Sequence, residues 1–366
     1  MTAATIRHKV DVLRETMALT DADVRTIIER QPSVLQLSAD KNLAPTLLFL
    51  LRSLDLGRDD LRRLIVGCPA ILTYSRDNLR TKLRFFQHIL QFSKAECRQI
   101  FVKEPTILRA GVRTGLFPRM RFLLRDVQLS PDDLKSIVLR HPRILLYSLD
   151  QNLIPKLVFF CLITLRMETF QVSRLLKAYP EFLGYNLDRH ILPISRYFLQ
   201  DLDYSTPEFT KILLTYPRLV TNSLTKIKHV VGYLRFEQDL SAAQVRRVLY
   251  QAPQILGLNT DVSLRGKVRF LRESLHLEQD DDWKRVLSGM PNLLLLSIDR
   301  NLQPKISYLL GAFDGNTDVL RAAVVRLPTL LGYSLDKRII PRMEAIQKAG
   351  IDEPGCITVG IPMKEE

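Results

Sequence analysis

Cysteine is scarce. The four in 366 residues, Cys68, Cys97, Cys161 and Cys356, share neither a Cys-x-x-Cys spacing nor a common setting. That excludes a disulfide framework and suits buried or idle thiols in a reducing compartment. The six histidines, His8, His88, His141, His190, His229 and His276, show no metal-ligand spacing. There is no Gly-rich phosphate loop, nucleophile elbow or dinucleotide fingerprint. An enzyme is therefore not expected, and neither is a cofactor or a metal. Long uncharged apolar stretches are also missing, so nothing approaches the eighteen or so residues of a membrane-spanning helix, and a soluble protein is expected. The amino terminus shows neither an apolar secretory core nor a long Arg/Ser-rich presequence. Acidic residues are in deficit: 39 Asp and Glu face 53 Lys and Arg, for a net charge of +14 and a pI near 9.7. This balance favours a polyanionic partner, with nucleic acid and anionic membrane surfaces as the candidates.

Proline, in contrast, is plentiful and periodic. Pro32, Pro69, Pro105, Pro142, Pro180, Pro217, Pro253, Pro291 and Pro328 follow one another at intervals of 36 to 38 residues. Six residues after each stands a small polar residue or Gly: Ser38, Ser75, Gly111, Ser148, Asn186, Ser223, Asn259, Ser297 and Ser334. Two residues further on, seven of the nine copies carry Asp (Asp40, Asp77, Asp150, Asp188, Asp261, Asp299, Asp336). A second proline lies thirteen residues after the first in six copies: Pro45, Pro118, Pro155, Pro193, Pro304 and Pro341. A fixed period of this length marks a stacked array in which no unit buries its apolar face alone.

Each unit reads as two helices. Ser93-Lys94-Ala95-Glu96, Ser130-Pro131-Asp132-Asp133 and Ser241-Ala242-Ala243-Gln244 are capping-box starts or near relatives, with Pro131 and Pro207 at the first helical position. Apolar residues eight, five and four positions before the repeat proline, such as Leu134, Ile137 and Val138, lie on one helical face. The proline then ends that helix. A buried turn of two or three apolar residues follows, and the Ser or Asn and the Asp cap the second helix. Whether that helix starts at the Asp or at the second proline is left open. The second, third, sixth and seventh units depart from the pattern, with Thr81, Arg113, Thr225 and Gly266 at marked positions, and slight fraying or reorientation is expected there. Ile6 to Leu19 resembles a second helix, so the chain reads as a partial N-terminal repeat helix (1–19), one continuous repeat array (20–351) and a short acidic tail (352–366).

Cations keep their place in the repeat. Seven residues before the repeat proline stand Arg25, Arg62, Arg98, Lys135, Arg246, Lys284 and Arg321, with Arg174 and Lys211 one residue later in the two remaining units. A second ladder follows the second proline or its equivalent: Lys82, Arg119, Lys156, Lys267, Lys305 and Arg342. A partial third comprises Lys41, Arg189, Lys226, Arg300 and Lys337. Glu never occupies the first ladder, which makes those cations the leading candidates for nucleic-acid contact; the second ladder joins them. Tyr74, Tyr147, Tyr185 and Tyr333 recur five residues after the proline, where Leu37, Leu258 and Leu296 stand in other units, so packing is favoured over base stacking. The Asp series is read as caps rather than metal ligands.

Repeats of about this length, with Pro-x-apolar-Leu, Ser-x-Asp and Leu-x-Pro-Lys as in Pro142 to Lys156, resemble the mitochondrial transcription termination factor (mTERF) family over roughly residues 20–350. The resemblance implies an all-α, left-handed α-solenoid of about nine repeats, curved into a half-doughnut that binds nucleic acid along a basic concave side. It also implies a protein of the mitochondrion or chloroplast that acts in transcription termination or initiation, or in RNA maturation. Double-stranded DNA is the first candidate ligand and structured RNA the second. No membrane is involved, and a monomer is expected. The alternative that the resemblance allows is a scaffold that carries an RNA-modifying enzyme or ribosome assembly factor to organellar rRNA.

Overall fold

The computed structural model describes residues 3–348 and is all-α. Ser, Thr or Asn stands at the start of most first helices because its side-chain oxygen accepts an amide that the helix leaves unbonded. Thr20 with Asp23, Ser93 with Glu96 and Ser241 with Gln244 form reciprocal capping boxes. Among the described residues there are nine first helices, each ten residues long, such as Arg58–Gly67, Pro131–Arg140 and Asp280–Gly289. Leu134, Ile137 and Val138 are buried as the spacing requires, as are Trp283, Val286 and Leu287.

Every first helix stops at the residue before the repeat proline. His141 and Cys68, for example, sit at φ −138°, ψ 73° and φ −147°, ψ 77°, because proline denies its predecessor the helical region. The proline then opens a five-residue 3-10 turn, such as Pro142–Leu146, whose apolar pair Ile144 and Leu145 is buried. The small polar residue after the turn caps the second helix: Ser38, Ser75, Ser148, Ser223, Ser297 and Ser334 each accept an amide three residues on. The second helix therefore starts before the Asp, which occupies its first turn, where a carboxylate complements the helix dipole. Asp40 and Asp77 stay largely exposed rather than capping.

One residue decides the shape of that start. In seven repeats eight residues separate the cap from the ladder position after the second proline, as from Ser148 to Lys156, and the helix opens with a π turn such as Leu149–Leu153. The second and sixth repeats have one residue fewer and start directly as α-helix, Arg76–Arg84 and Leu224–Gly232. A π turn is one residue inserted into a helix, and the second proline, which lacks an N–H, stands just after it at little loss, as Pro155 does in Ile154–Leu157. The seventh repeat keeps its π turn, Thr260–Leu264, with Gly266 in place of proline, so the extra residue is what matters. The expected fraying of the second and sixth units is not found at their helix starts; each helix is shortened by one residue there and carries a π segment at its far end, Phe85–Ile89 and Tyr233–Glu237.

The described residues form two compact units, one within Met1–Asn186 and one within Leu187–Glu366. In the first, Asp21–Arg30, Arg58–Gly67, Lys94–Lys103, Pro131–Arg140 and Thr169–Ala178 pack in that order, and their 3-10 turns stack likewise. The second repeats this with Thr206–Thr215, Ala242–Gln251, Asp280–Gly289 and Thr317–Arg326. Every second helix but the last described is followed by a left-handed residue, among them Asp55, Gln91, Asp203 and Asp239, or by two in the case of Asp314 and Gly315, which turns the chain into the next first helix. The acidic tail expected over 352–366 and Cys356 lie outside the described residues.

Successive repeats are also joined by hydrogen bonds to the 3-10 turns, whose last carbonyls have no partner within the turn. Lys82 and Lys156 reach Leu108 O and Leu183 O of the following repeat; Lys267 and Lys305 reach Leu294 O and Leu331 O at 2.7 and 2.9 Å. Arg119 reaches Tyr147 O at 2.6 Å. Lys9, in the helix Ala3–Met17, donates to Leu35 O at 2.6 Å, so that helix occupies the place of a second helix. Burial pushes the Lys156 ammonium, 2% exposed, down to about 8. Lys156→Met strands the Leu183 carbonyl and should cost about 1–3 kcal/mol in chemical denaturation, against under about 0.5 for an exposed Arg121→Met control. Between pH 8 and 10.5 the unfolded chain holds a proton that folded Lys156 has released, so native stability should rise with pH relative to Lys156→Met across that window.

Candidate nucleic-acid interface

The first ladder has partners inside the protein. Arg62 pairs with Asp23 at 2.7 Å, Arg98 with Asp60 at 2.6 Å, Lys135 with Glu96 at 3.0 Å and Arg246 with Glu208 at 3.4 Å. In each pair the acid stands in the first turn of the preceding first helix. The same cations reach the left-handed corner beside it: Arg98 donates to Asp55 O, Lys135 to Gln91 O, and Arg246 and Lys284 pair with Asp203 and Asp239. Ser173 is buried at the ladder position of the fifth first helix, and Lys177, one turn on, takes over the pairing with Asp133 at 2.9 Å. Arg321 lies 3.8 Å from Asp318 of its own helix, and Lys211 stands 4.0 Å from the centre of the Tyr250 ring. Arg25 and Arg174 are exposed and have no carboxylate partner among the described residues. Glu never enters this ladder because it would face the acid of the preceding repeat. Of the nine cations expected to contact nucleic acid, Arg62, Arg98, Lys135, Arg246 and Lys284 are engaged with the preceding repeat.

The second ladder lies deeper still. Lys82, Lys156 and Lys305 are buried, and Lys267 and Arg119 are half-buried, their heads held by the carbonyls already described. Arg342 is half-buried. Burial lowers the pKa of Lys82, Lys267 and Lys305 as it does that of Lys156. An ammonium enclosed between helices and bonded to backbone offers no face to a phosphate, so this ladder, expected to face nucleic acid, is interior. The tyrosines are also engaged. Tyr147 shares a 2.7 Å hydrogen bond with His141, and Lys82 and Arg338 stand 4.2 and 5.2 Å from the ring centres of Tyr74 and Tyr333.

What remains on the surface is a third set, on the outward side of the second helices. Two residues beyond the buried ladder position the helix has turned through some 200°, and there stand Arg84, Arg121, Arg196 and Arg269. All four are exposed and have no ion-pair partner among the described residues. Arg52 and Arg125 extend the outward side in the first unit, as do Arg235, Arg300 and Lys337 in the second; all are exposed and without an ion pair among the described residues. Lys41 stands with Lys337 and Arg300 at the helix starts; of the third ladder these and Arg189 are exposed, whereas Lys226 is half-buried and donates to Gly257 O at 2.7 Å. Only four of nine units carry the outward Arg, so periodicity alone does not reveal it; its offset from the buried ladder is the signal. Among the described residues no group of His, Cys, Asp and Glu is arranged to hold a metal, and no helix is long and apolar enough to cross a membrane.

The clasp should be visible in acid. Hydrogen bonds from Thr20, with help from Arg62, hold Asp23 below the usual carboxylate range. Lys177 does so for Asp133, and the Ser205 amide and hydroxyl for Glu208. Burial raises Glu96, but the Ser93 amide and Lys135 outweigh it. Stability from depressed carboxylates is complete above their unfolded values and is lost as pH falls through the folded ones. Melting temperature should therefore drop on acidification below about pH 4, and Asp133→Asn with Glu96→Gln should flatten that drop while lowering stability at pH 7.

A family model described as mTERF matches residues 1–125, 90–319 and 197–359. Over 192 residues the chain is 24% identical to the Homo sapiens protein named "Transcription termination factor 2, mitochondrial", an alignment that covers 50% of this chain and 48% of that protein. The chain thus matches about half the length of that relative. With double-proline helical repeats in register and a family match over nearly its whole length, the chain belongs to the mTERF family.

Proposed function

We propose that this protein binds nucleic acid in an organelle, mitochondrion or chloroplast, and regulates transcription or RNA maturation there without catalysing a reaction. The observation that carries this reading is the set of exposed, unpaired arginines on the outward side of the second helices, on a chain of net charge +14. Unpaired cations on one side of a helix layer are suited to phosphates, because they release counterions without first breaking protein ion pairs. The name of the human relative supports transcription as the setting. Duplex DNA is the first ligand to test, with structured RNA beside it. The scaffold alternative would be favoured by an apolar patch on the final repeats. The most C-terminal large apolar side chain exposed among the described residues is Val262, in the seventh repeat.

Replacing Arg84, Arg121, Arg196 and Arg269 together by Ala should leave the fold intact, weaken binding across sequences, and flatten the plot of log affinity against log salt by up to about 0.9 per lost duplex contact. Replacing Arg62, Lys135, Arg246 and Lys284 should mainly lower the melting temperature. If the first variant kept the parent's affinity and salt slope on duplex DNA and structured RNA, the interface would lie elsewhere and the scaffold reading would gain.

A further inference from the structure

The ladder that ties repeats together has a gap. Equivalent positions carry Lys9, Lys82, Arg119, Lys156, Lys267 and Lys305, each donating to the next 3-10 turn or, for Arg119, to Tyr147 O just after it. In the first repeat the residue is Thr46, whose side chain is too short to reach across, and a cavity of about 430 Å³ opens there. The lysine is missing in two other repeats, where Ile194 and Val230 fill the position with buried apolar side chains; in the second of these Lys226 supplies the donor instead, to Gly257 O at 2.7 Å.

The walls of the Thr46 cavity are polar. Lys41 and Asn42 come from the first turn of one second helix; Arg76 and Arg80 come from the first two turns of the next, Arg76–Arg84, and Tyr74 from just before it. The one carboxylate in the wall, Asp77, is paired with Arg80 at 2.6 Å. Thr46 is 4% exposed, lines the cavity, and its hydroxyl has no hydrogen-bond partner among the described residues. Asn42 accepts the Ser38 amide through Oδ1, which leaves its NH₂ group to donate. The hydroxyl lines the cavity without a protein partner, which leaves it available to a bound group. Three cations around it, above a helix N-terminus, define the charge of that group as negative.

We propose that this cavity binds a phosphate monoester, either the terminal phosphate of a nucleic-acid strand or that of a free nucleotide. A monoester carries nearly two negative charges and three acceptor oxygens, matching Lys41, Arg76 and the Thr46 hydroxyl. A backbone diester is disfavoured because a strand that continues on both sides cannot press a phosphate against a floor that is 4% exposed. With the terminal phosphate as ligand, the site rests on the proposed nucleic-acid function and adds recognition of strand ends to it.

Thr46→Lys restores the ladder residue, which should bond Leu72 O and fill the cavity, and Thr46→Ile fills it as Ile194 does without adding charge. Full-length protein would be titrated with ten-nucleotide RNAs that differ only in terminal phosphate or hydroxyl, and separately with UMP. A preference of at least about tenfold for the phosphorylated end, roughly the worth of one charge-assisted contact, lost in both folded variants, establishes a strand end as the ligand. UMP binding that both variants abolish, without an end preference, supports the same pocket with a free nucleotide as its ligand. Thr46→Lys raises the net charge, so general attraction to polyanions would strengthen binding; loss of binding therefore reports the pocket. The proposal is overturned if the wild type shows neither effect, or if either effect persists in both folded variants. Salt-dependent binding of all the RNAs without an end effect would sink the pocket alone. Absence of any oligonucleotide binding would instead count against the nucleic-acid reading.

Discussion

The backbone carbonyls of the 3-10 turn are the constraint on which each repeat depends. The repeat proline ends the first helix and begins a turn too short to satisfy its own last acceptors, and that turn is packed where water does not replace them. A donor must come from elsewhere. In most repeats it is a lysine from the preceding second helix, placed by the eight residues between cap and ladder, as from Ser148 to Lys156. The π turn that opens those helices belongs to the same arrangement: where one residue is missing, as in Arg76–Arg84, the helix starts without it and Lys82 still meets Leu108 O.

A second requirement arises at the other end of the first helix. Its free amides and the acid that complements them make a polar terminus beside the left-handed corner of the chain. The next repeat covers it with a cation, as Arg98 does for Asp60 and Asp55 O. Exposed ion pairs of this kind each contribute little, about 0–1 kcal/mol. Their repetition sets the register of neighbouring units, since a slip by one residue would turn the cation away from its acid. The strongest periodic charge in the sequence is thus spent within the fold, and the second-helix cations left exposed without an ion pair among the described residues, such as Arg84 and Arg269, follow a weaker periodicity.

The two rows of arginine and lysine on the second helices show how closely opposite roles lie. Lys82 and Arg84, or Lys267 and Arg269, are two residues apart; one is enclosed and bonded to backbone, the other exposed. Both look alike as basic residues in a helix. Their difference is an angle about the helix axis, set by which side packs on the next repeat. The Thr46 cavity follows the same logic in reverse, because one short side chain in the enclosed row leaves the space that its lysine would fill.

The sequence alone was enough to determine the helical class, the repeat boundaries, the helix-ending prolines, the Ser and Asn caps and the buried apolar positions such as Leu134 and Trp283. These depend on interactions within a few residues, where proline sterics, capping and helical period act directly. The role of each ladder could not be read that way. Asp60 and Arg98 are 38 residues apart, and Lys82 and Leu108 are 26 apart; only packing of one repeat on the next brings them together. Tertiary structure therefore decided which cations clasp the fold, which satisfy buried carbonyls and which remain open to a phosphate, because a charge is free or engaged according to neighbours that the chain supplies from the adjoining repeat.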